Sequence, residues 1–274
     1  MLNAQQFPTN AIFGAVKTLQ KIKQQKDSPD VVFFLDKGRD PRRKSLLPEY
    51  KANRSDVPDP VKVQIPVVKE FAYALGLTVI ERSGIEADDL IASFANKYQS
   101  QWDELIIFST DKDFAQCIEK NIFQIIPNKS TQNELGLFLD RNGVWNKFGV
   151  YPEQIVDYLS LIGDQADNIP GINGVGPKTA SKWLNNFSSI ENLLQHIDEV
   201  KPERFRSQLT ESKEILERNR QLIELNRTVE DIFFENNQPD ENKYQQLISF
   251  YHLNSLKNTF DAPQVAQEDL FSMP

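Results

Sequence analysis

The sequence predicts an α/β fold: a doubly wound parallel sheet followed by an all-helical subdomain. Two observations point there. Short apolar runs alternate with amphipathic segments up to about residue 140, and only helical periodicity follows. A third observation concerns the carboxylates. Asp36 and Asp111 end apolar runs, and Glu86 follows one after a short loop. In such sheets ligands gather at the carboxyl ends of the strands.

In chain order, residues 8–25 read as an amphipathic helix with Pro8 in its first turn and Ile12, Val16, Leu19 and Ile22 as its stripe. A buried strand covers 31–36. The segment 37–60 is polar, basic and punctuated by Pro, without periodicity until Tyr50. A helix at 61–75, a strand at 77–81 and a helix starting near Glu86 follow. Strands are expected at 105–108 and 122–126, with a short edge strand at 135–139. Helices are expected at 140–147, 152–162, 177–186, 188–196 and 212–226. From Asn236 the chain turns polar, and its last dozen residues read as a loose tail. This divides the chain into 1–150, 151–235 and 236–274. No strand precedes the first helix, although the first strand of a doubly wound sheet is usually central.

The 274 residues suffice for a full core. A single cysteine, Cys117, excludes an internal disulfide framework and fits a reducing compartment. No apolar run is long enough to span a bilayer, and no signal-peptide pattern opens the chain. A cytoplasmic protein without membrane contact is expected. The net charge of −8 argues against a generally basic nucleic-acid binder. Residues 37–54, however, carry Lys37, Arg39, Arg42, Arg43, Lys44, Lys51 and Arg54 against Asp40 and Glu49. Local field matters more than the total for steering phosphate.

The chemistry lies in four acidic clusters: Asp36; Glu86, Asp88 and Asp89; Asp111 and Asp113; Asp164 and Asp167. Brought together, these groups repel one another unless cations bind. An oxygen-only set without His or Cys suits Mg²⁺ or Mn²⁺ rather than zinc. Two such ions held close together cut phosphodiester bonds. Three of the clusters also have an ordinary reading. Glu86, Asp88 and Asp89 complement the dipole of a helix start. Asp111 and Asp113 suit an N-cap and first turn. Asp164 and Asp167 sit in a plain Asp/Asn/Pro/Gly loop, but close behind a helix's negative end, where carboxylates are unfavourable. Gly174-Val-Gly176-Pro-Lys178-Thr179 reads as a turn into a helix whose free amides could hold a phosphate without reading sequence, or as a turn alone. Tyr50, Lys51 and Arg54 could grip a phosphate and stack on a base, or belong to a solvated charged loop.

Taken together, the strings Leu-Pro-Glu-Tyr-Lys-Ala-Asn-Arg, Glu-Ala-Asp-Asp, Ser-Thr-Asp-Lys-Asp, Gly-Asp-x-x-Asp-Asn-Ile-Pro-Gly and Gly-Val-Gly-Pro-Lys-Thr-Ala resemble, in order, the 5′-nuclease (flap endonuclease) family. That family includes the 5′→3′ exonuclease domain of bacterial DNA polymerase I and free-standing relatives. The likeness covers roughly residues 3–235. It implies a PIN-like catalytic domain with a helical arch and a helix-hairpin-helix subdomain. It implies a first metal site at Asp36, Glu86 and Asp88, a second at Asp111, Asp113, Asp164 and Asp167, and Asp89 close to both. Tyr50, Lys51 and Arg54 would face the scissile phosphate, and Arg42 and Arg43 would lie in the DNA-facing arch segment. Gly174, Gly176, Lys178 and Thr179 would hold the duplex. K⁺ would sit on the carbonyls of Leu161, Ile162, Pro170, Ile172 and Val175. The family's opening strand with Asp-Gly has no counterpart here, so one first-site ligand and a central strand are expected upstream of Met1.

The implied activity is two-metal hydrolysis at DNA 5′ ends and flaps in replication and repair, with RNA primers as a further substrate and a monomeric enzyme. The competing reading is a catalytically weak, truncated module that grips branched DNA. A PIN-like ribonuclease explains the carboxylates but not the hairpin. Near the end of the chain, Gln267-Glu-Asp-Leu270-Phe271 resembles the short peptides that bind the bacterial sliding clamp, with Leu270 and Phe271 filling an apolar pocket and Gln267 anchoring them.

Overall fold

The computed structural model describes residues 6–25, 30–127 and 135–256. In chain order its elements are α1 (Asn10–Lys23), β1 (Val32–Lys37), α2 (Pro41–Leu46), α3 (Asp59–Lys62), α4 (Ile65–Ala74), β2 (Thr78–Ser83), α5 (Ala87–Tyr98), β3 (Leu105–Phe108), β4 (Ile122–Pro127) and β5 (Gly136–Leu139). Then come α6 (Arg141–Phe148), α7 (Ile155–Ile162), β6 (Gly163–Asp164), β7 (Ile169–Pro170), α8 (Pro177–Phe187), α9 (Ile190–Gln195), α10 (Phe205–Glu211), α11 (Lys213–Ile223) and α12 (Glu241–Tyr251). The chain forms two compact units that do not follow its order: Met1–Phe33 with Val57–Val79 and Phe234–Pro274, and Phe34–Asp56 with Ile80–Phe233.

The first unit is helical. Ile12, Val16 and Leu19 of α1 are buried in one cluster with Phe71 of α4 and Tyr244 and Ile248 of α12. The Phe71 and Tyr244 rings meet edge to face, 5.5 Å apart, an arrangement that adds to the area they bury. Gln64 is fully buried, and its side-chain oxygen accepts from Ala11 N (2.8 Å) and Ile12 N (3.1 Å). It thereby satisfies amides that the first turn of α1 leaves open. The polar stretch from Asn236, to which the sequence reading gave no element, contains α12; the expected loose tail lies outside the described residues. Asp240 caps that helix by accepting from Lys243 N (2.9 Å).

The second unit carries the sheet and most of the helices. β3 and β4 are parallel, with Leu105 opposite Ile122 and Phe108 opposite Ile125, and β5 joins β4 antiparallel as an edge strand. Ala92 and Ala95 of α5 pack with Ile107, Phe114, Cys117 and Ile122. Leu159 and Leu161 of α7, Trp183 and Leu184 of α8, Leu209 of α10 and Leu216 of α11 share the helical core. The α/β class followed by helices is as the sequence implied, but the sheet is not continuous. Among the described residues β1 and β2 form one two-stranded sheet, β3–β4–β5 a second and β6–β7 a third. Strands of two to six residues leave little ladder to join them.

Two further short helices depart from the sequence reading. The segment 37–60 contains α2, with Asp40 as its N-cap (accepting from Arg42 N at 2.7 Å) and Pro41 at its first position. α10 precedes α11. Six or seven residues make under two turns, too few for a periodic stripe to register.

Candidate metal centre

Every residue of the centre lies in the second unit. Asp36, exposed near the end of β1, accepts from Ala87 N (2.7 Å) at the start of α5. Glu86 is the N-cap of that helix, but its side chain makes no capping bond. It turns instead towards three donors: Arg43 Nη1 at 3.0 Å, Lys51 Nζ at 2.6 Å and Tyr50 Oη at 3.1 Å. Asp89 takes a two-pronged bond from Arg43, with Nη2 to Oδ1 at 2.8 Å and Nη1 to Oδ2 at 2.9 Å. Asp88 stands 3.6 Å from the same guanidinium. Burial pushes the Asp88 carboxyl up to about 6, against the pull of Arg43 and Lys51.

A second group forms where the sheet end meets the β6–β7 hairpin. Asp111 caps a 3-10 turn at Lys112–Cys117 by accepting from Asp113 N (3.0 Å). Carboxylate oxygens of Asp113, Asp164 and Asp167 lie within 4.8 Å of one another. Asp164 also accepts from Ala166 N (2.9 Å) and pairs with Lys112 Nζ at 3.2 Å. Asp113 Oδ1 is buried without a hydrogen-bond partner. Burial, then the charges of Asp111, Asp164 and Asp167, push the Asp113 carboxyl well above the ordinary carboxylate range. Burial also raises Asp167, although Lys51 and Arg54 oppose it. An orphaned buried oxygen in an all-oxygen cluster fits a hard divalent cation.

Residues 49–54 tie the two groups together. Lys51 N donates to Asp167 O (2.9 Å), Asn168 Nδ2 to Glu49 O (2.9 Å) and Arg54 Nε to Ala166 O (3.2 Å). Arg54 Nη2 bonds Asp167 Oδ1, and Lys51 Nζ lies 3.8 Å from Asp167 Oδ2. Lys51 holds a left-handed φ of 54°, sparsely populated for a residue with a Cβ and costing on the order of 1 kcal/mol. The surrounding bonds maintain it and aim its ammonium between Glu86 and Asp167.

Two sequence expectations need correction. Tyr50 is 2 % exposed with its hydroxyl on Glu86, so its ring cannot stack on a base. Arg43 is 1 % exposed and engaged by carboxylates, so it does not present a cation to DNA. Arg42 is exposed beside Asp40, and Lys178 is exposed on the first turn of α8, which Gly176 caps with extended backbone. Gly174 takes a φ of 76°, as its turn requires. In the hairpin the carbonyls of Leu161, Pro170 and Ile172 already accept from Ile172 N, Asn219 Nδ2 and Val175 N. Sequence reasoning gave no role to Lys112, Asn168, Asn226 or the Leu222 carbonyl. Each acts through a partner far along the chain or through its backbone, which local pattern does not reveal.

The N-terminal resolvase-like domain of 5′-3′ exonucleases matches residues 1–149, and their C-terminal SAM fold matches residues 150–247. The chain is 35 % identical over 271 residues to a 5′-3′ exonuclease of Aquifex aeolicus, covering 97 % of this chain and 90 % of that protein. It is 40 % identical over 195 residues to DNA polymerase I of Caldicellulosiruptor bescii, covering 71 % of this chain but 23 % of that protein. The fold resembles the T5 5′-exonuclease bound to zinc (TM-score 0.66, 20 % identity, 91 % of each chain). It also resembles the catalytic core of Rad2 with DNA substrate (TM-score 0.58, 17 % identity, 92 % of this chain and 82 % of that one). With both family domains matched in order along most of its length, the chain belongs to the 5′-3′ exonuclease family.

Proposed function

We propose that this protein hydrolyses phosphodiester bonds at DNA 5′ ends and 5′ flaps, using divalent cations held by its acidic clusters. The observation that carries the reading is the buried, unpartnered Asp113 Oδ1, set among Asp164 and Asp167 and bonded through Asp167 to the turn bearing Lys51 and Arg54. Asp113, Asp164 and Asp167, with Asp111 beside them, would hold one cation. Asp36, Glu86 and Asp88 are the oxygen donors for another. Mg²⁺ or Mn²⁺ bound there would supply an activated water and neutralise charge on the phosphate. Lys51 and Arg54 orient the phosphate and balance the charge that develops on it. The start of α8, with Gly176, Lys178 and Thr179, holds a backbone phosphate of the duplex through amides and one cation.

The test uses the full chain, 5′-labelled flap and nicked-duplex substrates, and Mg²⁺. Asp164→Asn should lower turnover by several orders of magnitude while flap affinity in Ca²⁺ changes by no more than a few-fold. Lys178→Ala should instead weaken affinity a few-fold and reduce the salt slope by about one. Undiminished cleavage by Asp164→Asn would end the metal-centre reading. One observation favours a second reading, a branched-DNA-binding protein with weak catalysis. Glu86 and Asp89 are already neutralised by Arg43 and Lys51. Tight flap binding by the unmodified protein, without turnover at any metal concentration, would select it.

We also propose K⁺ on the carbonyls of the 161–175 hairpin and binding of the sliding clamp through Gln267, Leu270 and Phe271. The first is supported by the family resemblance of this segment, in which Gly163–Asp164 and Ile169–Pro170 pair as a short hairpin. The second lies outside the described residues and is supported by sequence alone. Calorimetry of a 264–274 peptide against the clamp tests it.

A further inference from the structure

We infer that Arg43 is a positioning residue for the metal-holding carboxylates, and that Asp89 is its fork partner rather than a metal ligand. The inference rests on the metal-centre reading above.

Asp89 has little left to offer a cation. A carboxylate presents about four lone-pair directions. On Asp89, Oδ1 accepts from Arg43 Nη2 (2.8 Å) and Asn226 N (2.8 Å), while Oδ2 accepts from Arg43 Nη1 (2.9 Å). Glu86 is as deeply buried, but its three donors all reach Oε2, whereas both oxygens of Asp89 are occupied. Its neighbour Asp88 differs. Its side chain is 18 % exposed, it lies 3.6 Å from the guanidinium, and its Oδ1 accepts from Asp89 N (2.8 Å). Asp88 is therefore the carboxylate of this pair that faces a ligand.

Arg43 binds three stretches of chain. Its own helix α2 leads into the Tyr50–Arg54 turn. Its guanidinium holds Glu86 and Asp89 at the start of α5. Its Nε donates to Leu222 O (3.1 Å) near the end of α11. Buried ion pairs of this kind contribute little to stability compared with apolar side chains of the same volume. What the pair does supply is orientation. The fork fixes Glu86, and Glu86 fixes Lys51 and the Tyr50 hydroxyl. A fully buried cation cannot touch a phosphate, so its effect reaches the reaction only through the carboxylates it holds.

The experiment compares Arg43→Gln, Asp89→Asn and the double variant with the unmodified full chain. Three quantities are read: the number of Mn²⁺ ions bound without DNA, flap affinity in Ca²⁺ across a salt series, and the Mg²⁺ concentration for half-maximal turnover. Asp89→Asn should keep the Mn²⁺ count, whereas Asp88→Asn should lower it. Arg43→Gln should leave flap affinity within about twofold and the salt slope unchanged. It should raise half-saturating Mg²⁺ roughly tenfold, the usual scale for losing an outer-shell partner. The double variant, an amide pair that keeps hydrogen bonding without charge, should recover part of what Arg43→Gln loses. A missing Mn²⁺ ion in Asp89→Asn would make Asp89 a ligand and overturn the inference. A salt slope reduced by about one in Arg43→Gln would make Arg43 a phosphate contact and overturn it equally. If Arg43→Gln melts below the assay temperature, Arg43→Lys, which keeps the charge and loses the fork, carries the same comparison. Should the unmodified protein fail to cleave, the functional reading falls, while the Mn²⁺ counts and salt slopes still decide the roles of Asp89 and Arg43.

Discussion

The two acidic groups of the centre resolve the same electrostatic problem in opposite ways. Glu86 and Asp89 are neutralised from within by Arg43, Lys51 and the Tyr50 hydroxyl. Asp113, Asp164 and Asp167 face one another; Lys112 reaches Asp164, and Arg54, Lys51 and the Tyr50 hydroxyl reach Asp167, but Asp113 Oδ1 is left unpartnered. The first group is held in shape by the protein's own cations. The second is paired at its edges but retains one buried oxygen, Asp113 Oδ1, without a donor. Burial alone does not separate them, since Glu86, Asp89, Asp113, Asp164 and Asp167 are all buried. What differs is Asp113, which among these five carries a buried oxygen that no donor of the described residues meets.

The comparison can be broken most directly by removing one carboxylate charge from each group in the metal-free protein. Glu86→Gln deprives two cations of a buried partner and should lower stability by about 3 kcal/mol. Asp113→Asn relieves repulsion and should leave stability unchanged or raise it by about 1 kcal/mol. Urea unfolding in chelator measures both, and equal destabilisation would erase the distinction between the two groups. Next in size is the residue that touches both groups. Lys51→Ala should slow turnover by about 10²–10³ with a much smaller change in KM, because on the proposed function its charge would be aimed where the phosphate reacts. Rates on a flap substrate at saturating Mg²⁺ check this, and a loss confined to KM would assign Lys51 to binding.

The smallest effect is in pH. The Asp88 carboxyl titrates at about 6, and Asp113 and Asp167 are also raised. Their folded values lie above their unfolded ones, so the folded protein binds more protons across that window. The metal-free protein should therefore lose stability from this source as pH rises from about 4 through 6. A bound divalent cation favours the ionised carboxylates and cancels the loss. The gap in Tm with and without Mg²⁺ should widen between pH 5 and 7. A gap independent of pH would mean that these carboxyls are already ionised without metal.

Most of the acidic set was legible because carboxylates at strand and helix ends form a local pattern. Asp36, Glu86, Asp88, Asp111, Asp113, Asp164 and Asp167 all stand out in short strings. Arg43 was not legible in its true place. It belongs to a run of exposed cations, and the partners that bury it lie more than 40 residues away. Tyr50 misled for the same reason, since a tyrosine beside Lys51 looks like a stacking platform until Glu86 is found against its hydroxyl. In the fold, α12 carried readable signals, with Asp240 as cap and Tyr244, Leu247 and Ile248 at helical spacing. The Gln and Asn residues between them lowered the apparent hydrophobicity. The interruption of the sheet depends on pairing between strands, which periodicity along one strand does not record.

One feature of the hairpin reaches further. Gly163 has a φ of 78°, and a side chain there would run into the backbone of Ile169 and Gly171. A side chain at Gly171 would run into the backbone of Ile162 and Gly163. Asn219 then bolts the hairpin down through Ser160 O (3.2 Å) and Pro170 O (2.7 Å). The same short loop carries Asp164 and Asp167 on one side and runs into the start of α8 on the other. The proposed cutting site and the proposed duplex grip would then be two jaws of one calliper. The protein would then measure distance from the junction as well as recognise it. Gly171→Ala should blur that gauge, spreading the cut sites on a flap over neighbouring phosphates, and a product ladder as sharp as that of the unmodified protein would show that length is set elsewhere.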